Sequence, residues 1–133
     1  MPDASLDTAV GFTLVVAASN DHISFSRVTT TSAAAKLGFD YDAVEDIRIA
    51  VSELCGTLIA SAIPGSELTI TCRGDKHGIT VTGRAPLAEG AQSAGPDELS
   101  EQVLNAVVDS HAFSSDGTEA QFTMFRGHRP AES

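Results

Sequence analysis

Basic residues are scarce in this sequence. Of 133 residues, eight are lysine or arginine against eighteen aspartate and glutamate, a net charge of −10. Too few cations are present to neutralise a run of phosphates, which excludes a nucleic-acid binder and disfavours an anionic membrane surface. The imbalance favours a partner that carries a basic patch. No apolar run approaches the length of a bilayer span. The N-terminus, Met1-Pro2-Asp3-Ala4-Ser5, lacks the basic region and apolar core of a secretory signal, so a cytoplasmic location is expected. Cysteine occurs twice, as Cys55 and Cys72, which read as free buried thiols rather than a staple. Also missing are a Gly-x-Ser-x-Gly elbow, a phosphate-binding P-loop and a dinucleotide fingerprint. What is present is 42% hydrophobic residues and only 20% charged, enough to bury the core of one domain.

Residues 1–10 are small and polar and read as a flexible leader, 11–126 as a single domain and 127–133 as a flexible tail. Gly11 to Ala17 is β-branched and apolar, a strand. Ser19 and Asn20 suit the cap of a helix carrying Ile23, Val28, Ala34 and Leu37 and ending at Gly38. Asp42 and Glu45 have the spacing of a capping box. After them Val44, Ile47, Val51, Leu54 and Leu58 form an amphipathic stripe that stops before Pro64-Gly65. Leu68, Ile70 and Cys72, then Ile79, Val81 and Gly83, alternate with polar residues on either side of the turn Gly74 to Gly78, a hairpin. Ala85 to Pro96 reads as a mobile loop, Leu99 to Val107 as a third helix from near Asp97, and Ala112 to Met124 as a second hairpin about Ser114-Ser115-Asp116-Gly117. The order βααββαββ predicts an α/β two-layer sandwich, its sheet antiparallel or mixed, with three helices on one face.

Glu53 is the carboxylate of most interest, one position before the apolar Leu54 at the edge of the buried stripe. Partial burial there would suit a general base acting on water or a hydroxyl; a solvated helix charge is the plainer reading. Asp40, Asp42, Glu45 and Asp46 gather at a helix start, where carboxylates complement the dipole. His22, His77, His111 and His128 are scattered, without metal spacing, and read as surface residues; no metal site is expected.

The run Ser19 to Thr29, followed by Asp42 to Ser61, resembles the bacterial anti-sigma factors with a GHKL-type (Bergerat, histidine-kinase-like) ATPase domain, the serine kinases that hold alternative sigma factors inactive. Asn20-Asp21 with Phe25-Ser26-Arg27-Val28 matches their first helix, and Ala50-Val51-Ser52-Glu53 their second. The resemblance extends over roughly residues 12–126 and is closer to actinobacterial members.

The resemblance implies that Glu53 stands where these kinases activate the attacking hydroxyl. It sets Thr57 where an asparagine helps hold magnesium, Gly95 in the glycine-rich lid before a phosphate-binding helix, and Phe25 and Arg27 at the contact with protein partners. ATP and magnesium are the implied cofactors. Two segments depart from the pattern. Gly83-Arg84-Ala85-Pro86-Leu87-Ala88 replaces the segment whose aspartate reads adenine, and Asp97-Glu98 opens the helix that should meet phosphate. The expectation is an anti-sigma factor that sequesters an alternative sigma factor, is regulated by an anti-anti-sigma partner, and forms a homodimer. The alternative is an active Mg-ATP-dependent serine/threonine kinase of that anti-anti-sigma protein.

Overall fold

A computed structural model describes residues 10–91 and 95–128; most of the expected leader and tail lies outside the described residues. The chain runs β1 (Val10–Ala17), a 3-10 turn (Asn20–His22), α1 (Ile23–Lys36), α2 (Tyr41–Ser61), β2 (Glu67–Asp75), β3 (Gly78–Pro86), α3 (Glu98–Val107), β4 (Ser110–Ser115) and β5 (Glu119–Gly127). The expected order βααββαββ is the observed one. The five strands form one sheet, β1-β2-β3-β5-β4, with every pairing antiparallel.

The core follows from the two periodicities. Ala43, Ile47, Ala50, Val51, Leu54, Cys55 and Leu58 project from one side of α2 and are fully buried. They meet the inward residues of the strands, among them Leu68, Ile70, Ile79, Val81, Phe122 and Met124. Each large aliphatic side chain removed from water there contributes about 1.5–3 kcal/mol. Gly83 is required by this packing, because the Phe122 ring lies where a Cβ would stand. Gly38, at φ 88°, ends α1 as its position predicts.

Three local expectations change. The cap of α2 is Asp40, whose carboxylate accepts from the Ala43 N–H at 2.8 Å, so Asp42 lies inside the first turn and Glu45 pairs instead with Arg48 at 2.9 Å. The helix starts earlier because Phe39, 6% exposed, is drawn into the core just before it. Ala85 to Ala88 is not a loose loop: β3 continues through Pro86, Leu87 bridges Ala62, and Ala88 N–H donates to the Ser61 carbonyl at 2.9 Å. In α3 the fully buried residue is Leu104, whereas Leu99 is 70% exposed.

Among the described residues nothing covers the face of the sheet away from the helices. Its middle row aligns Thr13, Thr71, Thr82, Thr123 and Ala112 across all five strands. The rows on either side add Arg73 and Arg84, both exposed, and no acidic residue. At one end of the sheet Arg126, 4% exposed, reaches Asp46 at 3.6 Å and lies 6.0 Å from the centre of the Phe39 ring, on which His128 stacks at 3.9 Å. These contacts close the α1–α2 connection onto β5.

The α1 threonines are satisfied unevenly. Thr29 and Thr31 return their hydroxyls to the carbonyls of Phe25 and Arg27 at 2.7 and 2.8 Å. Thr30 is fully buried, and its hydroxyl has no hydrogen-bond partner among the described residues. Thr30→Val, which keeps the shape and removes the stranded hydroxyl, is expected to stabilise the fold by about 1 kcal/mol. Urea unfolding checks this through a higher midpoint at unchanged slope.

Candidate functional site

Glu53 and the start of α3 meet at one junction. Glu53 is half-buried on the flank of α2, next to Leu54 and Cys55, which anchor that turn in the core. Its Oε2 accepts a hydrogen bond from the Ser100 hydroxyl at 2.8 Å. Ser100 lies in the first turn of α3, and its backbone N–H donates to the Asp97 carboxylate at 2.8 Å. One serine thus binds two carboxylates, one from each helix. Asp97 is the N-cap, and the hydrogen bond from the Ser100 N–H holds its pKa below the ordinary 3.8.

The other expected nucleotide residues do not converge on this point. Thr57, one turn after Glu53, donates its hydroxyl to the Glu53 carbonyl of its own helix at 2.9 Å. Gly95 has φ 74° and packs against the Phe113 ring. It lines a cavity of about 440 Å³ between α3 and β4 that also involves Pro96, Glu101, Asn105, His111 and Phe113. Neither Glu53 nor Thr57 lines that cavity. Arg84, in the segment where the resemblance sets the adenine-reading acid, points to the uncovered face of the sheet.

These residues do not fit a magnesium–triphosphate. Asp97 already satisfies the helix start, and Glu98 and Glu101 add further negative charge to the same turn.

At the other expected site, Phe25 is 54% and Val28 64% exposed on α1, a helix that contains no acidic residue. The Phe25 ring is 5.6 Å from that of His22. Arg27 is half-buried and directs its guanidinium at the Ser52 hydroxyl on α2, 3.5 Å away. It therefore ties α1 to α2 beside the exposed pair. Both cysteines are buried as expected. Burial pushes the Cys55 thiol up to about 12, opposed by Ser26 and Arg27, and the Cys72 thiol up to about 11, so neither forms a thiolate near neutral pH. The expectation of four surface histidines fails at His111, whose side chain is only 10% exposed. Its ring lies 3.1 Å from Asn105 Oδ1.

A five-stranded antiparallel sheet with three helices on one face, and a glutamate on the second of them, is the two-layer sandwich of the Bergerat ATPases. The RsbU and RsbW domains of a Mycobacterium tuberculosis protein, solved by crystallography, match it with a TM-score of 0.72 at 13% identity. That match covers 91% of this chain and 33% of the other. The anti-sigma-F factor RsbW of Mycobacterium tuberculosis is 30% identical over 106 residues, 80% of this chain and 62% of that protein. The serine-protein kinase RsbW of Listeria monocytogenes is 36% identical over 55 residues, 41% of this chain and 35% of its own length. No protein-family model matches. The chain is homologous to the RsbW anti-sigma factors and serine-protein kinases, as its first two helices indicate. It spans less than two thirds of the length of these curated relatives.

The depressed pKa of Asp97 has a pH consequence of definite sign. Its contribution to stability is present above the unfolded value of 3.8 and is lost as pH falls through the lower folded value. Asp97→Asn keeps a capping oxygen but removes the titration. It is expected to lose less stability than the parent between about pH 5 and pH 3 in parallel denaturant titrations.

Proposed function

We propose that this protein is an anti-sigma factor that sequesters an alternative sigma factor through α1. The observation that carries the reading is the exposed pair Phe25 and Val28 on an acid-free helix, in a chain of net charge −10 homologous to an anti-sigma-F factor. An aromatic beside an aliphatic side chain, with Arg27 braced next to them, supplies an apolar anchor and a directional donor. The acidic remainder of the molecule steers a basic partner toward that anchor without itself carrying most of the affinity. An anti-anti-sigma protein would compete for the same helix. The protein acts in the cytoplasm, without nucleic acid or membrane as partners; among the described residues no helix is long and apolar enough to cross a bilayer. It works as a homodimer, for which the middle of the sheet face away from the helices, free of acidic residues, is an available surface.

The second reading is a Mg-ATP-dependent serine/threonine kinase acting on the anti-anti-sigma protein. Glu53 favours it, standing on α2 where the resemblance sets the base, and so does the name of the listerial relative. The residues around Glu53 oppose it, for the reasons of charge and hydrogen bonding given above. Sequestration without catalysis is therefore preferred, and release would come from competition rather than from phosphate transfer.

Binding of purified alternative sigma factors, measured by calorimetry, tests the proposal. Phe25→Ala is expected to weaken the complex by about tenfold or more. Arg27→Ala is expected to weaken it less, and raising salt should slow association. Unchanged affinity in Phe25→Ala would remove α1 from the interface.

Titration of the same protein with Mg-ATP is expected to give no heat. Micromolar binding, together with phosphate transfer that Glu53→Ala abolishes, would instead establish the kinase.

A further inference from the structure

Three side chains that play no part in the proposed function converge in the cavity between α3 and β4. Glu101 and Asn105 are four residues apart on α3 and share one face of that helix. His111 comes from the edge strand β4, the next element of the chain. Its Nε2 lies 3.1 Å from Asn105 Oδ1 and 3.6 Å from Glu101 Oε2. All three residues line the cavity of about 440 Å³, which leaves room for water beside them.

We propose that His111, Glu101 and Asn105 form a binding site for a first-row divalent transition metal ion such as zinc. The spacing of the donor atoms is the first reason. Ligands about 2.1 Å from an ion are separated by about 3.0 Å at cis positions of an octahedron and about 3.4 Å in a tetrahedron. The two measured separations fall close to these edges, and the Glu101 carboxylate, 45% exposed, is free to adjust toward an ion bound at His111 Nε2. The ligand chemistry is the second reason. One imidazole, one carboxylate and one amide oxygen suit the middle of the transition series, whereas calcium and magnesium take oxygen alone. The third is preorganisation. The imidazole, 10% exposed, is held by its surroundings rather than by a metal.

The field of a chain with net charge −10 favours the cation. Among the described residues no three of histidine, cysteine, aspartate or glutamate gather, so the proposed site has only two such ligands, with the Asn105 amide oxygen beside them. Coordination uses the Nε2 lone pair of the neutral ring, whose one proton then sits on Nδ1, and the ion takes the place of the hydrogen bond to Asn105. The bound ion would cross-link α3 to β4 and so fix the helix whose first turn meets Glu53.

The test is calorimetric titration of the full chain with zinc chloride alone, with thermal melting as a second readout. The expected result is saturable one-to-one binding and a melting temperature that rises with zinc. His111→Gln should weaken binding by at least about tenfold and remove the zinc-dependent rise, and Glu101→Gln should weaken it in the same direction. His77→Gln and His128→Gln should change neither. Melting of each variant without zinc shows that it is folded. Should His111→Gln prove unfolded, Glu101→Gln, an exposed change, decides alone. Absence of binding at millimolar zinc would overturn the site. So would binding that survives His111→Gln and Glu101→Gln, or that is lost in His77→Gln instead.

Discussion

Seven side chains of α2, from Ala43 to Leu58, are fully buried between that helix and the inner face of the sheet. Most of the remaining arrangement depends on this contact. With one side of α2 fixed in the core, the rotation of the helix is set, and Glu53 is held on its flank rather than in solvent or in the core. α1 packs along α2, which sets Phe25 and Val28 outward and leaves Arg27 to reach Ser52. α3 covers the other flank, which brings Ser100 to Glu53. Loss of the Ile47 or Leu54 side chain would loosen this frame as a whole, because close-packed interiors transmit a vacancy to their neighbours.

The distribution of charge follows the same layering. Asp40, Asp42, Glu45 and Asp46 crowd the start of α2 and Asp97, Glu98 and Glu101 that of α3, while α1 and the middle of the sheet face hold none. A uniformly acidic surface would repel an acidic partner and steer a basic one without distinguishing a place to dock. Keeping carboxylates out of α1 leaves an acid-free helix within a long-range acidic field, and the two act at different stages of an encounter.

Much of this was legible in the sequence, for identifiable reasons. The stripe of α2 and the alternation of β2 and β3 are local periodicities, and they fixed the order of elements and most of the core. Phe25, exposed on α1, stands where the resemblance set a partner contact. What stayed hidden depends on residues distant in the chain. Ala85 to Ala88 has little pattern of its own, yet it is ordered by Ser61, Ala62 and Thr118, which no window around it contains. The cap fell on Asp40 rather than Asp42 because Phe39 had to be buried, a demand of the core and not of the helix. Ser100 carries no sequence signal for its bond to Glu53, since the two are 47 positions apart. Glu101 and Asn105 have helical spacing that could have been noticed, but His111 joins them only once the chain reverses into β4.

The capped start of α3 bears on how this lineage could change. Asp97 is tethered three residues from the N–H it binds, so its carboxylate acts there at a high effective concentration. Any free anion arriving from solution must compete with an internal ligand that never diffuses away. A substitution that removed this tethered anion would free the Ser100 N–H, while Glu98 and Glu101 would keep the turn acidic.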